Sequence, residues 1–331
     1  MNLDELVAHS VKHNASDLHL CPGLPPIIRI DGRLRRLDTL CPVNEDDINA
    51  CRERYLNARN QAAFNRLGQV DAMLIVAGEQ RLRGHFFRQR TGISAAFRLI
   101  PAKIPDLGWL GLPVEIIELS TRPHGLLLLT GAAGSGKSSS LAALVDNLNH
   151  RCQRHIITLE DPVEFIHQPV GCLIQQRQIG EHCRDFNTGL HAALREDPDV
   201  ILLGELRDAK SIRLALTAAE TGHLVLATLH ARHACQAVDR LVEALPAQEH
   251  AFARTMLADS LLAVMAQKLI RREPAGRMAL FEVMIATPAV RNLVREGKTH
   301  LLPGLIQTGK GQGMQTFEQS ALRQDGCDNK Q

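Results

Sequence analysis

No stretch of this chain restricts its fold more than Gly131-Ala-Ala-Gly-Ser-Gly-Lys137-Ser138. It fits G-x-x-x-x-G-K-[ST], follows the apolar run Leu126 to Leu129 and precedes a helix-like run, Ser139 to Leu148. That is the strand, loop and helix setting the pattern requires. Gly131, Gly134 and Gly136, with Ala132, Ala133 and Ser135 between them, let backbone N–H groups converge on phosphate oxygens, and the helix N-terminus adds positive potential. In such a cradle, which Ser139 extends, Lys137 contacts the β- and γ-phosphates and Ser138 ligates Mg²⁺. ATP and Mg²⁺ are therefore the expected ligands. A chance glycine turn would not keep strand, loop, Lys-Ser and helix in register.

The surroundings point to an α/β fold with a mostly parallel sheet. From His124 onward the apolar runs GLLLLTG, HIITLED, DVILLGE and HLVLATLH alternate with helical stretches, the signature of strands buried on both faces. The first hundred residues read differently. Leu3 to His13 has helical spacing, Asp17 to Cys21 and Pro26 to Ile30 read as strands, and Asp31-Gly32 marks a turn. Glu45 to Arg66 reads as helical and polar on one face, and Val70 to Val76, Arg81 to Arg88 and Gly92 to Leu99 as an antiparallel meander. The Pro- and Gly-rich stretch Ile100 to Pro123 reads as a connection with one short helix. The expected division is a domain over 1–100, a linker over 101–123 and an ATPase domain over 124–331. The polar end, Asp325 to Gln331, is expected to fray.

Composition narrows the function. The 331 residues are 45% apolar and 22% charged with net charge +2, enough for two cores. The charge lacks the basic excess of a dedicated nucleic-acid binder. One Trp and one Tyr leave no base-stacking platform. The eight cysteines form no C-x-x-C pair, so they read as reduced thiols of a cytoplasmic protein rather than a zinc module. The amphipathic start is not a signal peptide, and no apolar run is long enough to span a bilayer. Neither nucleic-acid binding nor direct membrane insertion is expected, and any membrane role comes through a partner.

Hydrolysis needs an acid beside the phosphates. Glu160-Asp161-Pro162-Val163-Glu164 and Glu205 both follow apolar strands, whose carboxyl ends line the ligand crevice of such sheets. At Glu205, Gly204 stands where a generic pattern has Asp, so Glu205 carries the metal role, directly or through water. Helix capping is the plainer reading, and for Glu160 and Asp161 it weighs equally. His223 and His230 bracket the run Leu224 to Leu229. His230, beyond its carboxyl end, can sense a γ-phosphate, whereas His223 reads as structural or as an interface residue. From Gln80 to Pro105 there are no acids but six cations, Arg83 and Arg98 among them. That is a solvated basic edge, or a source of arginines reaching a neighbouring subunit's ATP.

Taken in order, these elements resemble the type II/type IV secretion ATPase superfamily over nearly the whole chain. Ala15-Ser-Asp-Leu-His-Leu20 and Pro26-Ile-Ile-Arg-Ile-Asp-Gly32 look like its N-terminal, PAS-like α+β domain. Ile157–Glu164 resembles its Asp box, Ala193–Asp208 its Walker B region, and Thr217–His223 through Thr228–His230 its His box. The resemblance implies a RecA-like P-loop domain. It makes Glu164 and Glu205 the catalytic acids, His223 and His230 the His-box histidines, and Arg83 and Arg98 arginines that act across a subunit boundary.

Ala289-Val-Arg-Asn-Leu-Val-Arg-Glu296 is similar to an element of the pilus-retraction branch; by itself it reads as an amphipathic helix after Pro288. The four-cysteine module and extra N-terminal domain of the extension and secretion branches are absent. Ala132-Ala133 and Ser139 depart modestly from the family's loop, and the C-terminus looks shorter. The resemblance implies a homohexameric ATP-driven ring, cytoplasmic and peripheral at the inner membrane, serving a pilus or secretion platform in twitching motility. The rivals are a type II secretion or pilus-extension ATPase, a DNA translocase, and a nucleotide-binding scaffold with little turnover.

Overall fold

The computed structural model describes residues 2–78, 80–101, 103–272 and 276–328, the last five as backbone alone. Residues 329–331, part of the expected frayed end, lie outside the described residues. The chain forms two compact units, the first within Met1–Lys103 and the second made of Ile104–Arg272 and the chain from Arg277 onward.

In the first unit, helix α1 (Leu3–Lys12) starts at Asn2, whose side chain accepts from the Asp4 N–H, and buries Leu3, Leu6, Val7 and Ser10. This is the i, i+3, i+4, i+7 stripe of an amphipathic helix. Strands β1 (Asp17–Leu20), β2 (Ile27–Ile30) and β3 (Arg33–Arg36) follow. Asp31 and Gly32 both have positive φ, 47° and 79°, which is the two-residue turn that suits a hairpin's twist. Strand β3, Arg-Leu-Arg-Arg, is the β-like segment expected beyond that turn, and it is exposed throughout.

Glu45 to Arg66 is helical as expected, with one break. It divides into α2 (Glu45–Tyr55) and α3 (Ala58–Leu67) because Leu56 is extended and the Asn57 side chain caps α3 by accepting from Asn60 N–H. An Asn in that place answers an orphan donor and competes with helix continuation. Strands β4 (Gln69–Val76), β5 (Gln80–Gln89) and β6 (Gly92–Ile100) complete an antiparallel sheet of order β3-β2-β1-β6-β5-β4. Its core gathers Leu18, Ile48, Phe64, Phe86 and Phe97, with the last two edge-to-face at 5.5 Å.

The second unit opens with two short helices where one was expected, α4 (Leu107–Leu110) and α5 (Val114–Leu119), separated at Gly111 with φ +66°. There follow β7 (Gly125–Thr130), α6 (Lys137–Arg151), β8 (His155–Glu160), β9 (Leu173–Gln178), α7 (Phe186–Ala193), β10 (Val200–Leu203), α8 (Ala209–Glu220), β11 (Leu224–Leu229) and α9 (Ala234–Glu243). The chain ends in α10 (His250–Ser260), β12 (Leu261–Arg271), β13 (Arg277–Ile285), α11 (Pro288–Glu296), α12 (Leu302–Thr308) and α13 (Phe317–Asp328). The sheet order is β13-β12-β7-β11-β10-β8-β9, parallel except where β13 runs against β12.

The unbroken apolar runs now have their cause. Leu126, Leu128, Ile157, Leu159, Ile201 and Val225 point into one layer, and Leu127, Leu129, Ile156, Val200 and Leu226 into the other. Each such side chain contributes about 1.5–3 kcal/mol by leaving water, so a polar residue on either parity would cost a full core position. Strand order also places the site. β7 is separated from its sequence neighbour β8 by β11 and β10, and crevices form at the carboxyl ends where connections diverge in this way.

Candidate active site

The loop 131–136 leaves the carboxyl end of β7 and enters α6. Thr130, the last residue of β7, holds this exit in place. Its hydroxyl accepts from the Ala231 N–H at 2.7 Å and donates to the Ala231 carbonyl at 2.8 Å, stitching β7 to the end of β11, where His230 stands. Gly131 and Gly136 have φ of +149° and +92°. A Cβ on Gly131 would lie 2.3 Å from the Gln267 carbonyl oxygen, and one on Gly136 would lie 2.8 Å from Gln267 Nε2. Both positions therefore require glycine for backbone conformation and for space.

Three observations fit this loop to a nucleotide's phosphates. No side chain caps the start of α6 at Gly136, so its first N–H groups have no side-chain acceptor. The Ser135 hydroxyl is buried without a partner. Lys137 is buried, and its ammonium donates to the Gly131 and Ala132 carbonyls at 2.8 and 2.9 Å. Burial lowers the Lys137 pKa from its ordinary value, while the carboxylates of Glu205 and Glu164 pull the other way. Ser138 is exposed beside it.

Glu205 follows β10 and is held by two side chains, an arginine and a histidine. Its Oε2 lies 2.7 Å from Arg207 Nη2 and its Oε1 lies 3.2 Å from His230 Nε2. Burial would raise its pKa, but the hydrogen bond from Arg207 and the charges of His230, Arg207 and Lys137 outweigh burial and leave it lowered. His230 turns its other nitrogen, Nδ1, to the Gly131 carbonyl at 3.3 Å. Gly204 also acquires a reason. A Cβ there would sit 3.2 Å from Leu159 O and 3.3 Å from Glu160 Cα, so β10 runs too close to β8 for an Asp to enter freely.

Glu164 lies half-buried in the loop after β8, near enough for its charge to act on Lys137. Glu160, at the end of β8, accepts from the Thr158 hydroxyl at 2.6 Å and from Gln176 Nε2 at 3.2 Å, and burial raises its pKa. It caps no helix; its neighbours are strand residues and the loop that carries Glu164.

The unit thus brings together the loop, Lys137, Glu164, Glu205 and His230. His223 is not among them. It precedes β11, about 20 Å of strand away, and its Nδ1 lies 3.0 Å from the Ala218 carbonyl. Arg83 and Arg98 belong to the first unit, where they are directly paired across β5 and β6, and Arg98 is bound to Asp17 at 3.1 Å. Arg207, Thr130 and Gln267 were not singled out from sequence. Arg207 carried a signal, a cation two residues after an acid at a strand end. Gln267 carried none.

Residues 2–275 match the model of the family described as type II/IV secretion system protein. The chain is 56% identical over 320 residues to the protein described as uncharacterized protein YggR of Escherichia coli (strain K12), covering 97% of each. It is 46% identical over 318 residues to the type IV pilus retraction ATPase PilT of Pseudomonas aeruginosa, covering 96% of this chain and 92% of that one. The crystal structure of the pilus retraction motor PilT with bound ADP superimposes with a TM-score of 0.87 at 37% identity, over 98% of this chain and 92% of that one. With its phosphate loop, strand-end acids and mostly parallel sheet in place, the chain belongs to the type II/IV secretion system protein family of ATPases.

Proposed function

We propose that this chain hydrolyses ATP as one subunit of a ring-shaped, homohexameric pilus-retraction motor, at the cytoplasmic face of an inner-membrane platform. The observation that carries the chemistry is the convergence of Lys137, Glu205 and His230 on the loop 131–136. The retraction reading draws on the likeness to PilT and on the segment Ala289–Glu296. Among the described residues no helix is long and apolar enough to cross a membrane, in keeping with a partner supplying any membrane contact.

In this reading the loop N–H groups and Lys137 neutralise the phosphates, and Lys137 exchanges its loop carbonyls for phosphate oxygens. Ser138 and Glu205 would hold Mg²⁺, Glu205 directly or through water, since each of its oxygens keeps a lone pair beside the contact to Arg207 or His230. One hydroxyl and one carboxylate suit an ion that keeps several waters and takes its remaining ligands from phosphate. Bound there, Mg²⁺ would offset phosphate charge. Glu164 positions water, and His230, between Glu205 and the first loop carbonyl, registers the γ-phosphate. Arg83 and Arg98 serve a neighbouring subunit's site, and His223 serves an interface. Residues 1–100 and 124–331 move as the two mechanical parts, joined through 101–123.

Phosphate release by purified protein, with and without DNA, tests this. Turnover that is indifferent to DNA and abolished by Lys137→Ala supports it. Turnover absent from the folded wild type, or dependent on DNA, overturns it in favour of a scaffold or a translocase. Deletion of the gene should leave cells with more surface filaments; loss of filaments would point to extension instead.

A further inference from the structure

We infer that Gln267 is a positioning residue of the phosphate loop, setting where Gly131, Gly136 and the first turn of α6 stand. It lies in the middle of β12, the strand beside β7, and is 2% exposed. A buried primary amide is costly unless its polar atoms are engaged, and its position shows what it engages. Its Oε1 accepts from the Ser140 hydroxyl at 2.8 Å. Its Nε2 occupies the space beside Gly136, 2.8 Å from where a Cβ would be, and its backbone carbonyl does the same at Gly131, 2.3 Å from that Cβ. One residue therefore backs both ends of the loop and the helix turn that follows it.

The consequence follows from how the loop binds. Its N–H groups must point at phosphate oxygens together, and hydrogen bonds weaken steeply with misalignment. Ser140 does not itself face the cradle. It lies one turn inside α6, so its bond to Gln267 fixes the rotation of the helix that presents those groups. Removing the Gln267 amide leaves Lys137, Ser138 and Glu205 in place but frees the frame they are measured against. Gln267 acts through the loop and needs no contact with the nucleotide. The inference rests on the reading that the loop 131–138 binds nucleotide.

The test is equilibrium binding of ADP to the full chain for wild type, Gln267→Met, Ser140→Ala, their double variant and Lys137→Ala. Gln267→Met keeps length and apolar bulk and removes the amide. It should weaken ADP about tenfold, the scale of one lost net hydrogen bond, with Ser140→Ala weakening it several-fold. The double variant should be no worse than Gln267→Met, because both remove the same link. A purely structural residue would lower the melting temperature and leave the affinity of the folded protein unchanged. If Lys137→Ala loses ADP while Gln267→Met binds within twofold of wild type, the inference on Gln267 is overturned and the nucleotide site stands. If neither variant changes ADP affinity, the loop is not the site and both readings fall. Should Gln267→Met not fold, Ser140→Ala decides alone, and wild-type affinity there overturns the inference.

Discussion

His230 Nε2 lies 3.2 Å from Glu205 Oε1, while the second oxygen of the same carboxylate is 2.7 Å from Arg207 Nη2. One carboxylate at the end of β10 is thus held between a histidine from the end of β11 and an arginine two residues on in its own turn. The histidine's other nitrogen meets the first carbonyl of the phosphate loop at 3.3 Å. Each ring nitrogen therefore faces an acceptor oxygen, which ties the end of β11 to both the acid and the loop.

Glu205→Gln should lower the rate of phosphate release by at least about 10²-fold, the scale of losing a preorganised charge at a phosphoryl-transfer site. His230→Ala and Arg207→Ala should each cost less. The double variant of Glu205→Gln with His230→Ala should be no slower than Glu205→Gln alone, since the two residues act as a unit. Additive losses in steady-state phosphate release would show that they act separately.

Glu160 yields a prediction in pH. Burial raises its pKa above the ordinary 4.5, so the folded state holds this proton more firmly than the unfolded chain. The stability tied to it is fully present below about pH 4.5 and is lost as pH rises through the folded value. Glu160→Gln keeps an acceptor for Thr158 and Gln176 without a charge to bury. The variant should melt higher than wild type at pH 8, with the difference closing toward pH 4.5. A difference constant across that range would mean that Glu160 does not titrate on folding as its burial requires.

Arg291, inside the segment Ala289–Glu296, is a clamp. Its guanidinium donates to four carbonyls: Ala286 at 2.9 Å, Ala258 at 2.5 Å, Asp259 at 2.6 Å and Leu261 at 2.8 Å. Two of these are orphan carbonyls of the last turn of α10, which need such a donor. Arg291→Ala should destabilise the protein by roughly 2–4 kcal/mol, from several charge-assisted bonds lost at once. Arg291→Lys should recover less than half, because an ammonium lacks the planar fork. Denaturant melts check this, and a change below about 0.5 kcal/mol would refute the clamp.

Arginines that act across a boundary have a signature in mixed rings. Arg83→Ala subunits mixed with wild type should reduce ATPase activity out of proportion to their fraction, because one missing arginine disables a neighbour's site. A loss strictly linear in the mutant fraction would place Arg83 outside any neighbour's site.

What sequence alone conveyed divides along physical lines. The placing of Gly131–Ser138, Glu205 and His230 at neighbouring strand ends was legible because each closely follows an apolar strand of one parallel sheet. The buried strands β7, β8, β10 and β11 were legible because burial on both faces makes them near-continuous apolar runs, interrupted only by threonines such as Thr130, Thr158 and Thr228. The break at Leu56-Asn57 was missed because helical spacing on either side hides a single capping residue. Strands β12 and β13 were not assigned; the chain passes from α10 at Ser260 into β12 at Leu261 with no turn residue between. Gln267 was invisible for a related reason. Its place under the loop depends on β12 lying beside β7 in one register, and no local pattern in Met265-Ala-Gln-Lys268 records that.

The most direct measurement is calorimetric titration of Mg·ATP, at concentrations up to millimolar, into folded wild-type protein and into Lys137→Ala. Binding to the wild type, weakened by at least about tenfold when the Lys137 ammonium is gone, is the expected result, since that group bonds charged oxygens in a buried site. Wild-type protein that is folded yet takes up no nucleotide, or a Lys137→Ala variant that binds as tightly, would contradict a phosphate cradle at residues 131–138.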